Sequence, residues 1–401
     1  MKKILAIVMA LVMVFSLAAC GSKSGGDTKE PAETKLKVGF IFLHDENSTY
    51  DLNFINGAKA ACEATGVDYL FKTNIPEGNE CYEAAADLID QGCTIIFADS
   101  FGHEDYLIKA AKEFTDVQFC HATGTKAHTE KLANYHNAFA SIYEGRYLAG
   151  IAAGMKLNEM IKAGKFTAEE AKMGYVGAYT YAEVVSGYTS FYLGAKSVCP
   201  SVTMEVQFTG SWYDEAKEKE AATKLINNGC KLISQHADSM GAPTACETAG
   251  VPNVSYNGST VDACPNTFIV SSRIDWAPYM TYMIKCVQDG QAIDTDWCKG
   301  LEDGAVALTD VNTKAAAEGT QEAIDKAAAE LKAGTLHVFN TDNFTVNGQK
   351  LTTYLADVDT DANYEKDTEA IKDGYFHESE YRSAPYFDIQ IDGIKLLNTA
   401  F

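Results

Sequence analysis

No serine in this chain has a glycine two residues away on both sides, so the nucleophile elbow of the α/β-hydrolases is missing. Neither an HExxH pair nor a P-loop occurs, and Phe40–His44 runs on apolar where a dinucleotide turn would need glycines. His103-Glu104-Asp105 is the nearest approach to a metal-binding fragment, and it reads more simply as a loop with carboxylates opening a helix. Cysteine is plentiful, yet no two are close enough to make a CxxC pair, which argues against a zinc site. Positive charge is scarce: 33 Lys and Arg face 55 Asp and Glu, a net charge of −22. Such a surface argues against nucleic acid or anionic lipid as a partner and favours a neutral or cationic ligand over a phosphorylated one. Beyond the first 20 residues no run is long and apolar enough to span a membrane. These absences leave no catalytic constellation, no metal and no cofactor, and the chain is not expected to be an enzyme.

The N-terminus states an address. Lys2-Lys3 forms a basic start, Ile4–Phe15 an apolar core too short for a membrane span, and Ser16–Cys20 (SLAAC) a lipobox-like cleavage site. Cys20 is the expected lipidation site, and two acyl chains there would anchor the protein stably on the extracytoplasmic face of the membrane. Residues 21–35, rich in Gly, Ser and charge, read as a tether. The ten other cysteines of an exported chain then mean either disulfides or the thiols of an anaerobe. The second is favoured, because several adjoin apolar residues (Cys62, Cys93) and pack as small hydrophobes.

From Lys35 onward short apolar runs alternate with amphipathic helices. Leu36–Leu43, Val67–Lys72, Cys93–Ala98 and Val117–His121 read as strands, with helices over Asn53–Ala64, Asn79–Gln91 and Tyr106–Phe114. Asn134–Phe139 leads into a helix over Ile142–Leu157, with small residues along one face, and an insertion-like helical segment follows over Asn158–Ala171. The rhythm then restarts. Strands are expected at Met173–Ala178, Thr203–Thr209, Cys230–His236 and Val251–Tyr256, with helices at Ala182–Val198, Asp214–Asn228 and Pro243–Ala249. This alternation means βαβ units, right-handed crossovers and parallel sheets. Length and doubling together predict an α/β, bilobed architecture, with two parallel-sheet lobes, a cleft and three hinge crossings. The lobes are expected from residues 36–137 with 273–308, and from 138–272 with 309–401. The tail should hold an Ala-rich helix (Lys314–Lys332), a hairpin around Asn347-Gly348 and a final acidic helix before Tyr381.

Polar and aromatic residues recur where these strands end. The first strand is followed by Tyr50 and Asn53, the third by Ser100 and Phe101, and the first strand of the second half by Tyr179, Tyr181 and Glu183. The design is clearest in VQFTGSWYDEA, which presents Trp212, and in LISQHADSMG, which delivers His236 and Asp238 onto a loop. Tyr256, Asn257, Asp275 and Trp276 follow the last two strands. The C-terminal ends of parallel strands all face one way, so in two facing lobes these residues converge on a cleft. Each alone could be a core ring or a helix cap. Together they suit a flat ligand: rings stack on a base, carboxylates accept from N–H edges or a ribose diol, and asparagines do both. A sugar would use the same residue types, and a lipid-anchored hydrolase is the remaining alternative.

Five stretches resemble the basic membrane protein family of substrate-binding lipoproteins, which includes purine-nucleoside receptors of ABC importers. They are Tyr50–Ala61, Ile142–Met155, Gly210–Gly229, Gln235–Gly241 and Ser271–Tyr279, and the WYD…QHADS spacing is the most specific. The resemblance implies a type I periplasmic-binding-protein-like fold, a purine-type ligand buried between the lobes and an ABC permease as partner. One departure stands out. The nucleoside-binding branch looks like an Asp-x-Ser-Phe-Asn pattern after the first strand, whereas Asp51-Leu52-Asn53-Phe54 keeps the asparagine and the ring in another order.

Overall fold

A computed structural model describes residues 36–360, 363 and 365–401. The expected lipidation site Cys20 and the 21–35 tether lie outside the described residues. In chain order the first half runs β1 (Lys37–Ile41), α1 (Thr49–Thr65), β2 (Asp68–Lys72), α2 (Asn79–Asp90), β3 (Ile95–Ala98), α3 (Glu104–Glu113), β4 (Gln118–Ala122), the single turn α4 (Ala127–Glu130), β5 (Tyr135–Ala140) and α5 (Ile142–Lys162). The second continues with β6 (Lys172–Gly177), α6 (Ala182–Val198), β7 (Thr203–Phe208), α7 (Glu215–Asn227), β8 (Leu232–Gln235), α8 (Gly241–Ala249), β9 (Asn253–Tyr256) and β10 (Phe268–Ile274). Then come α9 (Ala277–Gln288), β11 (Asp296–Lys299), β12 (Val306–Leu308) and α10 (Thr320–Lys332).

Two sheets result. The first has the order β11-β5-β4-β3-β1-β2, and the second runs β12-β10-β9-β8-β6-β7 and ends on a C-terminal strand, Ile394–Leu396. All pairs are parallel except β10 with β12. Helices cover both faces, so the central strands can be apolar throughout: every residue of β3 (IIFA) is buried. The chain passes between sheets after β5, after β10 and between β11 and β12. These crossings fall a few residues from the expected boundaries, because Ala138–Ala140 still belong to the first sheet and β12 to the second.

The small residues of α5 have a geometric purpose. A Cβ on Gly150 would lie 2.0 Å from the Phe191 carbonyl oxygen, and one on Gly194 equally close to that of Tyr147, so α5 and α6 pack backbone to backbone. That contact seats the C-terminal half of α6, whose first turn carries part of the site. The segment expected as an insertion-like helix is divided, Asn158–Lys162 prolonging α5 and Ala168–Glu170 forming a short turn.

The tail differs most from expectation. α10 starts only at Thr320, after Gly319 in the left-handed region at φ 78°. The Asn347-Gly348 turn is present, with both residues at positive φ and Val346 bridged to Gln349. The final acidic helix is not formed among the described residues. In its place two-residue strands pair Leu355–Ala356 with Thr368–Glu369 and Ile371–Lys372 with Tyr375–Phe376. Asp373-Gly374, again both at positive φ, supplies the two-residue turn that favours a hairpin over a helix. All ten cysteines among the described residues are unpaired, and all but Cys298 are buried.

Candidate functional site

The strand ends of both sheets meet around a cavity of about 350 Å³. Leu43 and His44 reach it from β1, Ser100 and Phe101 from β3, and Thr123 and Thr125 from β4. The second sheet contributes Tyr181 and Glu183 after β6, Trp212 after β7, and His236 and Asp238 after β8. Tyr50 from the first turn of α1 completes this part of the wall, its hydroxyl donating to the Asp99 carbonyl at 2.7 Å.

The cleft is closed. Phe101 of the first lobe meets Tyr181 of the second at 5.4 Å between ring centroids, and His44 lies 5.3 Å from Tyr213. The backbone N–H and hydroxyl of Thr49 both donate to the Asp238 carbonyl, at 3.2 and 3.1 Å. Tyr179, stacked on Tyr181 at 5.2 Å, also abuts Trp212 edge-on at 5.0 Å. The aromatic wall is therefore braced from behind.

Its electrostatics follow from one buried chain. The Arg146 guanidinium, 3.3 Å above the centre of the Tyr256 ring, donates to the Gln235 carbonyl and to His236 Nδ1 at 3.0 Å. A guanidinium only donates, so Nδ1 must accept and the imidazole proton sits on Nε2. That nitrogen is 2.9 Å from Glu183 Oε2. Burial lowers the His236 pKa, which favours this neutral tautomer. Asp238 is shifted the other way: burial, with Glu218, Asp51 and Glu183 nearby, raises its pKa well above the usual carboxylate range. Its Oδ1 accepts from Asn257 Nδ2 at 3.4 Å. Asp238 does not cap α8, whose first turn is met instead by the Ser239 hydroxyl accepting from Gly241 N–H. Beneath Tyr50, Asp51 and Asp99 are both buried, and Asp99 is raised strongly by burial and by the charge of Asp51.

Of the residues anticipated from strand ends, Tyr50, Ser100, Phe101, Trp212, His236 and Asp238 border the cavity. Tyr179, Tyr256 and Asn257 stand one layer behind it, supporting Tyr181, Arg146 and Asp238. The other three belong to the hinge. Asn53 donates to the Ile274 carbonyl at 2.6 Å, and Asp275 pairs with Arg273 at 3.3 Å and accepts from Ala277 N–H. Trp276 is fully buried against Phe54, 4.3 Å between centroids. Tyr181 and Glu183, read beside Tyr179 after the first strand of the second half, border the cavity too; Thr123 and Thr125 were missed as site residues, although both follow β4 and the rule that found their neighbours reaches them. Thr360, Arg382, Ala384, Pro385 and Asp388 also border the cavity. They come from the tail, where no strand–helix rhythm signals a site.

Two parallel α/β lobes, three crossings and a closed cavity at the strand ends define a type I solute-binding protein. Residues 42–335 match the family described as Bmp, ABC transporter substrate-binding protein PnrA-like, and the chain belongs to that family. A purine-binding protein from Brucella abortus (strain 2308) is 33% identical over 313 residues, covering 77% of this chain and 84% of its own. A Haloferax volcanii protein, provisionally named an ABC transporter glucose-binding protein, is 31% identical over 257 residues, 62% of each chain. Among solved structures, an ABC transporter solute-binding protein from Aeropyrum pernix K1 superposes with a TM-score of 0.64 at 18% identity, covering 78% of this chain and 94% of that one. The protein is thus the solute-binding component of an ABC transporter, from a non-enzymatic, extracytoplasmic family.

Proposed function

We propose that this protein captures a purine nucleoside or purine base between its lobes and delivers it to an ABC permease, while held to the membrane by lipid on Cys20. The observation that carries the ligand is the pairing, in one cavity, of the Phe101, Tyr181 and Trp212 rings with the Glu183 and Asp238 carboxylates. Rings of this kind stack on a base, worth about 1–3 kcal/mol per base, and carboxylates accept from its N–H edge. The name of the Brucella relative supports the purine, and the SLAAC lipobox supports the anchor. The name of the Haloferax relative favours a second reading, a sugar receptor on the same fold. Native mass spectrometry of ligand carried through purification, followed by calorimetry with purines, nucleosides and glucose, decides between them. Retention of a hexose, with no heat from any purine, would replace the first reading by the second.

A further inference from the structure

The family match ends at residue 335, yet five residues beyond it wall the cavity. The segment that carries them is attached to both lobes. On the second lobe its strand Ile394–Leu396 extends the sheet beside β7, Gln390 accepts from the Tyr188 hydroxyl at 2.8 Å, and Glu378 accepts from the Ser186 hydroxyl at 2.5 Å. On the first lobe the Ser383 N–H and hydroxyl both donate to Asp296 Oδ1, at 3.0 and 2.8 Å. The Thr360 hydroxyl donates to the Thr125 carbonyl at 2.8 Å, and Thr129 donates to the Asp359 carbonyl.

Between these anchors the chain is held in shape by Arg382, which is 7% exposed. Its Nε, Nη1 and Nη2 donate to the carbonyls of Ala384, Val358 and Pro385, at 3.1, 3.4 and 3.2 Å. Those bonds direct the guanidinium donors to backbone carbonyls, so Arg382 is a positioning residue here. Asp388 is fixed in turn by Lys366, 2.5 Å away, and by the Tyr354 hydroxyl.

We propose that the segment 336–401 is a selectivity strap, which bridges the cleft outside the family core and chooses among ligands by size, through Ala384 and Pro385, and by hydroxyl content, through Thr360 and Asp388. The strap joins threonines of the first lobe, Thr123 and Thr125, in a hydroxyl-rich stretch of wall. The Phe101, Tyr181 and Trp212 rings form the aromatic part. A ligand with a flat ring and a polyol would use both; a bare ring would use only the second. The proposal rests on the reading of this cavity as the ligand site.

Calorimetry with adenine, adenosine and glucose on the full chain and on Ala384→Leu and Asp388→Asn tests it. Ala384→Leu narrows the cavity and should weaken adenosine at least tenfold more than adenine. Asp388→Asn should lower the adenosine-to-adenine affinity ratio at least threefold. Ratios equal to the parent's in both variants overturn the strap. If glucose binds and the purines do not, the purine reading fails alone, and the variants are scored on glucose, where parental affinity in both overturns the strap. Hydrogen exchange of the unliganded protein gives a readout needing no ligand. Ser383→Ala should raise exchange over residues 123–129 and 380–388 together, and unchanged exchange in the first of these counts against the bridge.

Discussion

Glu183 and Arg146 grip opposite nitrogens of His236, the carboxylate at 2.9 Å from Nε2 and the guanidinium at 3.0 Å from Nδ1. The positive charge is thereby held in the protein interior, and the negative charge is presented to the ligand. Asp238 and Asp388 stand in the wall as well. Arg382 also borders the cavity, but its donors are turned to backbone carbonyls, so the cavity is poorly matched to an anion. Adenosine 5′-monophosphate is therefore expected to bind at least a hundredfold more weakly than adenosine. Competition calorimetry checks this, and equal affinity would mean that the wall tolerates a phosphate.

Trp212→Ala should weaken purine binding by about 1–3 kcal/mol, the worth of one stacked ring. The Tyr179–Tyr181 stack stands without it, so the melting temperature should fall only slightly. A variant that binds like its parent would make Trp212 a packing residue.

Asp238 should couple binding to pH. Burial raises its pKa well above the usual carboxylate range in the free protein, while a ligand N–H favours the carboxylate as acceptor and so pulls that pKa down. Binding then releases a proton, so affinity rises as pH rises towards the raised pKa of the free protein. Asp238→Asn should flatten that slope and cost roughly tenfold to a hundredfold, since hydrogen bonds to charged groups are worth about 1.5–3 kcal/mol. Titrations in two buffers of different ionisation enthalpy measure the proton directly, and a slope surviving in the variant assigns it elsewhere.

Glu378 and Glu218 should make stability fall as pH rises from about 4.5 to about 7. Glu378 is buried and pushed up to about 7, and Glu218 likewise, so between about 4.5 and 7 the folded protein holds protons the unfolded chain has lost. His103, His121 and His136, lowered to about 4 by burial, work in the opposite sense below 6.5 and mask this on the acid side. Glu378→Gln, keeping the hydrogen-bonding partners Ser186 and Ser379, should shrink the loss of stability between pH 5 and pH 8 by on the order of 3 kcal/mol. Urea unfolding at the two pH values reads it, and a parallel loss in parent and variant refutes the assignment.

Cys20→Ala should move the protein from the detergent phase to the aqueous phase on fractionation without altering ligand affinity. Persistence in the detergent phase would refute the lipobox.

The sheets were legible because buried parallel strands leave continuous apolar runs such as CTIIFA, and because helices between them keep their spacing. The cavity was legible wherever a residue follows a strand. Asn53, Asp275 and Trp276 obey the same rule and still serve the hinge, since sequence order does not distinguish a strand end facing the cleft from one facing a crossing. β11 was not anticipated: Asp296-Trp297-Cys298-Lys299 is a short edge strand, paired only with β5, and carries too few apolar residues to stand out. The strap was illegible for a different reason. Its acidic composition resembles a helix surface, whereas its shape is set by Asp373-Gly374 and by the Arg382 bonds to the carbonyls of Val358, Ala384 and Pro385.

The unpaired thiols give the molecule an internal clock. Burial holds Cys62, Cys120 and Cys230 near pKa 12, far from the thiolate that reacts with disulfide reagents. Modification must wait until the chain around each one opens. Because such cysteines lie in both lobes, labelling followed by peptide mass spectrometry would time the opening of each lobe separately, with no engineered probe.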